Sequence, residues 1–173
     1  LRLDRLLYAG TKADPKKRIT NECFEVALNH KMDNINAALL LVAFRHLRKK
    51  WEKREAIARR YDRELPPEIV RQGYHGDEVH GRYVYAIGVE RRDELRVFLE
   101  KNQIETKIFN EPLACDAPVY RQYSTHPVPV ARKMLAMNLI LPSHEKLGEG
   151  QVDHVIECIS KFVGLNPSFL SKR

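Results

Sequence analysis

The sequence predicts an α/β fold of the α+β small-domain kind: a long linking helix followed by a small α/β sandwich. Two observations predict it. Residues 33–65 carry unbroken helical periodicity and stop at Pro66-Pro67. Beyond them, short alternating apolar runs are separated by amphipathic helical stretches. Strands divided by helices suggest a small sheet with helices over one face.

The elements follow in order. Leu3, Leu6 and Leu7, with Gly10 as a stop, predict the end of a helix already under way at Leu1. Thr11 to Leu28 is polar and holds Asp14-Pro15-Lys16-Lys17-Arg18, which reads as a loop. Asp33 is a candidate N-cap for the long helix. Ile35, Leu39, Val42, Phe44, Leu47, Trp51, Ala58, Tyr61 and Leu65 supply its helical spacing. Ala37 to Phe44 is apolar almost all round, which implies burial on more than one side, as where two domains or subunits meet. The two prolines then end the helix.

Val79 to Val89 reads as a strand, with Tyr83, Tyr85, Ile87 and Val89 alternating. Asp93 is expected to cap a short helix with Leu95, Phe98 and Leu99 inward. Ile104, Thr106 and Ile108 predict a second strand, and Pro112 to Tyr123 is irregular. Val128 to Met137 reads as a helix with Val130, Met134 and Met137 as its apolar stripe. Leu139 to Leu141 is a short buried strand closed by Pro142. Gln151 to Val163 is an amphipathic helix, and the tail from Gly164 is expected to fray.

Composition excludes some classes of function. No apolar run reaches the roughly 18–20 residues of a membrane span. Cys23, Cys115 and Cys158 are odd in number and widely spaced, which reads as free thiols in a reducing compartment. The seven histidines show no metal-ligand spacing, and His75 and His80 in a Gly-rich turn read as solvated. The balance of 30 Lys+Arg against 23 Asp+Glu gives a net charge of +7. Much of the excess surrounds the long helix, at Arg45, Arg48, Lys49, Lys50, Lys53 and Arg54. Three readings fit it: a solvated helix surface, walls that attract an anionic substrate, or nucleic-acid binding. No nucleic-acid motif supports the last.

Asn29, His30 and Lys31 sit just before the long helix, at a helix mouth that favours an anion such as phosphate. Asn supplies an amide donor and Lys a point charge. Solvated loop residues are the alternative reading.

The run Glu25-Val26-Ala27-Leu28-Asn29-His30-Lys31-Met32, with Ile35-Asn36-Ala37-Ala38-Leu39, resembles the Gly-x-Asn-Tyr-Arg-Met-x-x-Ile-x-Ala-Ala-Leu pattern of the DegT/DnrJ/StrS sugar aminotransferases. Later segments are similar in the same order. They include Arg54-Glu55-Ala56-Ile57-Ala58, Tyr83-Val84-Tyr85-Ala86-Ile87, Arg92-Asp93-Glu94-Leu95 and Ile104-Glu105-Thr106. Pro112-Leu113, Pro118-Val119-Tyr120, Pro129-Val130-Ala131 and Leu139-Ile140-Leu141-Pro142 continue the series. Order and spacing carry the resemblance, since no single piece is specific.

The resemblance implies a pyridoxal 5'-phosphate enzyme of the fold-type I, aspartate-aminotransferase class, of which this chain is the C-terminal part. Residues 1–32 would be the end of the large domain and the motif loop, 33–65 the interdomain helix, 66–164 the small domain and 165–173 a tail. The family's Schiff-base lysine lies upstream of the Asn motif, so no catalytic residue is expected here. Lys12, Lys107 and Lys161 read as surface residues. The motif Asn matches Asn29, implied to bind the cofactor phosphate of a partner subunit in a homodimer. His30 and Lys31 match the motif Tyr and Arg, implied to lie near a nucleotide-sugar substrate. The activity implied is amino transfer from glutamate or glutamine to a keto-sugar nucleotide in the cytoplasm. Departures stand at Ala27, His30, Lys31, Leu40, Ala114 and Arg132, where the family has Gly, Tyr, Arg, Gly, His and Glu. Lys keeps the charge of Arg but not its planar fork. The departures leave a second expectation open: a diverged, noncatalytic α/β module that binds a protein or nucleic-acid partner.

Overall fold

The computed structural model describes residues 11–13, 19–23, 26, 32–74, 78–109 and 111–166. The chain divides into two compact units, 1–48 and 49–173. The division falls inside one continuous helix, α1 (Asn34–Glu64).

In the first unit, β1 (Thr11–Ala13) and β2 (Ile19–Cys23) pair antiparallel, with Thr11 opposite Cys23 and Ala13 opposite Ile19. A hairpin therefore occupies part of what reads in sequence as loop. Polar residues at Thr20, Asn21 and Glu22 hide a run short enough for backbone pairing to define it. The expected opening helix and the tail beyond Asn166 lie outside the described residues.

Helix α1 starts where Asp33 predicts. Its Oδ1 accepts the Asn36 N–H at 2.8 Å, and its carbonyl accepts the Ala37 N–H at 2.9 Å. The N-terminal half is exposed in this chain, with Ile35, Leu39, Leu41, Phe44 and Leu47 all more than half accessible. The C-terminal half belongs to the second unit and buries Ile57, Ala58 and Tyr61. Leu65 closes it, and its N–H still reaches Tyr61 O at 3.1 Å.

The second unit is built on an antiparallel sheet of β3 (Val70–Arg71), β4 (Tyr85–Gly88) and β5 (Asn138–Leu141), in that order. Tyr85 opposes Leu141 and Ile87 opposes Leu139, so the buried positions of both strands share one face. Helices α2 (Arg92–Lys101), α3 (Pro129–Met137) and α4 (Glu149–Leu165) complete the unit. Leu95 and Leu99 of α2 join Val152, Val155, Ile159 and Phe162 of α4 in the core. Tyr61 and Tyr85 meet with ring centroids 5.0 Å apart, which brings α1 to the sheet.

Tyr61 is fully buried and its hydroxyl donates to Pro142 O at 2.8 Å. Burial pushes this phenol up, so it stays protonated as a donor. Tyr61→Phe leaves the Pro142 carbonyl without that partner. The expected loss is about 1–2 kcal/mol, read by urea unfolding.

The second unit also departs from the sequence expectations. The Val79–Val89 strand shrinks to Tyr85–Gly88, because His80, Arg82 and Tyr83 give their carbonyls to side chains of α1 and Arg82 takes φ 49°. The 104–108 strand reduces to one bridge, Lys107 with Ile140. Ile104 N–H instead closes the end of α2 on Leu99 O, after Gln103 turns at φ 61°. Asp93 does not cap α2: the N-cap is Arg91, without a side-chain cap, and Asp93 lies in the first turn with Oδ1 2.7 Å from Arg92 Nε. Val130 and Met134 of α3 are exposed rather than an inward stripe, while Met137 is half-buried. The 112–123 segment is irregular as expected, holding two short 3-10 turns, Ala114–Asp116 and Arg121–Tyr123.

Candidate functional site

Asn29, His30 and Lys31 lie outside the described residues, as does Ala27. The helix mouth that follows them is described. Asp33 itself occupies it: the Asn36 backbone amide holds the Asp33 carboxyl below its usual range, so an ionised side chain already serves that N–H. Asp33 thus competes with any anion for the Asn36 amide at this end. The motif spacing alone does not reveal this competition.

The second unit carries a polar lock between α1 and the strap formed by residues 78–83. Trp51 Nε1 donates to His80 O at 2.8 Å. Arg54 donates through Nη1 to Tyr83 O at 3.3 Å and through Nε to Glu145 at 2.9 Å. Arg82 is buried; its guanidinium pairs with Glu55, donates to Tyr74 Oη and lies 4.6 Å from the Tyr74 ring centroid. The Arg82 N–H donates to His80 Nδ1 at 3.0 Å, which fixes that nitrogen as an acceptor. Arg82 holds φ 49°, an uncommon conformation for a residue with a side chain. The several contacts over-determine it. A cleft of about 350 Å³ opens beside the lock, lined by Trp51, Tyr74 and His80 among others. The Arg82 and Glu55 charges answer one another, so the chemistry of the lock is structural. His80 is half-buried and part of the lock, not a solvated turn residue.

The Pro112-Leu113-Ala114 motif loop is pinned from α3. Both Arg132 Nη atoms donate to the Asp116 carboxylate at 2.8 Å, and Arg121 Nη2 donates to Asp116 O at 3.1 Å. Arg132 thus fastens the loop that precedes its own helix. The pairing holds the Asp116 carboxyl below its usual range. Ala114 is exposed, as are Tyr120 and Tyr123.

Lys107 and Lys161 are exposed, as expected of surface lysines. Cys158 is buried and Cys115 half-buried, and both are free thiols; burial pushes the Cys158 thiol up. Among the described residues no group of three or more His, Cys, Asp or Glu could hold a metal, and no helix is long and apolar enough to cross a membrane.

The architecture is that of sugar aminotransferases. A DegT DnrJ EryC1 StrS aminotransferase from Brucella abortus superposes with a TM-score of 0.80 at 28% identity, over 94% of this chain and 43% of that one. DesV from S. venezuelae, solved with a ketimine intermediate, shares the fold with a TM-score of 0.81 at 24% identity, over 93% of this chain and 43% of that one. A curated relative, a pleiotropic regulatory protein from Geobacillus stearothermophilus, is 33% identical over 140 residues, which cover 78% of this chain and 38% of that protein. Residues 2–160 match the DegT/DnrJ/EryC1/StrS aminotransferase family, and the chain belongs to it. It spans less than half the length of these relatives and corresponds to the C-terminal part of the solved aminotransferases.

Proposed function

We propose that this chain forms the C-terminal part of a pyridoxal-phosphate aminotransferase that moves an amino group from glutamate or glutamine to a keto-sugar nucleotide. Its product would be an amino sugar for polysaccharide, lipopolysaccharide or antibiotic assembly. The observation that carries this reading is the family match over residues 2–160, which includes the Asn29 motif. Pyridoxal phosphate, when bound, supplies the electron sink for amino transfer. On this reading Asn29 donates its side-chain amide to the cofactor phosphate of a partner subunit, while His30 and Lys31 face the anionic nucleotide sugar. Residues 33–65 then join a large domain to the small one. The exposed apolar side chains from Ile35 to Leu47 support a surface that is covered in a cytoplasmic homodimer.

Asn29→Ala in the full natural protein tests the assignment. A lost hydrogen bond to a charged group predicts roughly 10- to 100-fold weaker cofactor retention. Retention through gel filtration equal to wild type would sink the role of Asn29.

A noncatalytic, regulatory reading has its own support. Ala27, His30, Lys31 and Ala114 depart from the family pattern. The Geobacillus relative bears the name of a regulatory protein. Amino transfer ranks first because Asn29 and Lys31 keep the donor character that a phosphate needs.

A further inference from the structure

We propose that the groove between the Gln103–Lys107 segment and the start of α4 is a binding site for a phosphomonoester with a flat apolar body, of nucleoside monophosphate size. The groove encloses about 620 Å³, within the range of small-molecule sites. Its floor is apolar: Ile140, Pro142, Leu147 and Val155 line it. Its rim offers hydrogen-bond donors, and backbone contacts fix the donor atom of two of them, His144 and Gln151.

His144 Nδ1 accepts the Lys146 N–H at 3.2 Å, so the neutral ring carries its proton on Nε2, a donor not engaged by that backbone contact. Gln151 Oε1 accepts the Gly148 N–H at 3.0 Å, which orients the amide and leaves its NH₂ as the second donor. Lys107 uses its backbone N–H and carbonyl on Ile140, at 3.3 and 2.8 Å, and its exposed ammonium is the third. Thr106 adds a hydroxyl. His154 differs: its Nε2 faces Asn102 O at 3.0 Å, so that ring is committed to the wall. Glu105 is the one carboxylate among the described lining residues.

Four donor groups, one of them the Lys107 cation, suit an anion, and a phosphomonoester offers them three acceptor oxygens and a charge of about −1.5 to −2. The apolar floor suits a ring that inorganic phosphate lacks. This inference stands independently of amino transfer, since it uses none of Asn29, His30 or Lys31.

Calorimetric titration of the intact protein with adenosine 5'-monophosphate tests it, with adenosine and inorganic phosphate as partial probes. The expected result is saturable binding of the monophosphate, with each partial probe about tenfold weaker or more. Lys107→Glu and Gln151→Glu, both exposed positions, should each weaken binding by about tenfold, while Lys161→Glu, an exposed position outside the groove, leaves it unchanged. No heat with the monophosphate overturns the proposal. So does binding that survives both groove substitutions, or binding that falls as much with Lys161→Glu. Inorganic phosphate binding as tightly as the nucleotide also overturns it, because the floor would then contribute nothing.

Discussion

Glu55→Gln is expected to destabilise the protein by about 3 kcal/mol and to free the strap from α1. The reason is asymmetric. Removing one partner of a buried ion pair leaves the other charge buried and uncompensated, typically at a cost of about 3–5 kcal/mol. Arg82 is that other charge: its side chain is 8% exposed and that of Glu55 is 14% exposed. Tyr74 Oη and the Tyr74 ring remain, but neither carries a countercharge. Arg82 also loses the anchor that helps hold φ 49°. Trp51 is the sole tryptophan and donates to the strap at His80 O, so its fluorescence reports the release directly. A urea-unfolding difference below about 1 kcal/mol, with unchanged Trp51 emission, would contradict the lock.

The pH dependence has a definite sign. The Arg82 hydrogen bond, with Arg59 assisting, holds the Glu55 carboxyl down at about 2 against an ordinary 4.5. The folded value is the lower one. The pair therefore contributes fully above pH 4.5, and its contribution is lost as pH falls from there through about 2. Glu55→Gln lacks this titration, so its deficit against wild type should shrink across that window.

Leu139→Ala is the second large effect, at about 3 kcal/mol. Leu139 is 0% exposed, lies in β5 between β4 and the Lys107 bridge, and opposes buried Ile87. The cost joins lost transfer energy to a cavity that paired strands cannot readily close. Val130→Ala is the contrast. Val130 is 74% exposed, so its change should stay within about 0.5 kcal/mol. Comparable losses at both positions would mean that the apolar stripe on α3 faces a core after all.

The features legible in the sequence are periodic or chemically marked. Asp33 as cap, the prolines at 66–67 and the buried run Leu139–Leu141 are local signals, and each stands where local chemistry places it. The amphipathic stripe of α4 holds for the same reason, since Val152, Val155, Ile159 and Phe162 all enter the core. The features that sequence misplaces are set by distant partners. Tyr83 alternates with Tyr85 and Ile87, yet Arg54, far back on α1, takes its carbonyl and the strand starts later. Asp93 has the chemistry of a cap, but the N-cap falls two residues earlier, at Arg91, and Asp93 sits beside Arg92.

The polar contacts of the second unit are legible in a different sense. Arg132 reads in sequence only as a departure from a family pattern, and its bidentate bond to Asp116 turns it into a loop fastener. Glu55 and Arg82 are separated by so much chain that no spacing rule joins them. The groove donors escape sequence reading for a related reason. The free nitrogen of His144 and the orientation of Gln151 follow from backbone contacts alone.

If the natural protein containing this chain is a working pyridoxal-phosphate aminotransferase, its absorbance spectrum should say so without further assay. The spectrum is best taken on the full natural protein, before and after adding glutamate. The expected result is a cofactor band near the edge of the visible range that shifts when the amino donor arrives. No such band, even after pyridoxal phosphate is supplied, would contradict amino transfer and leave the noncatalytic module as the function of this fold.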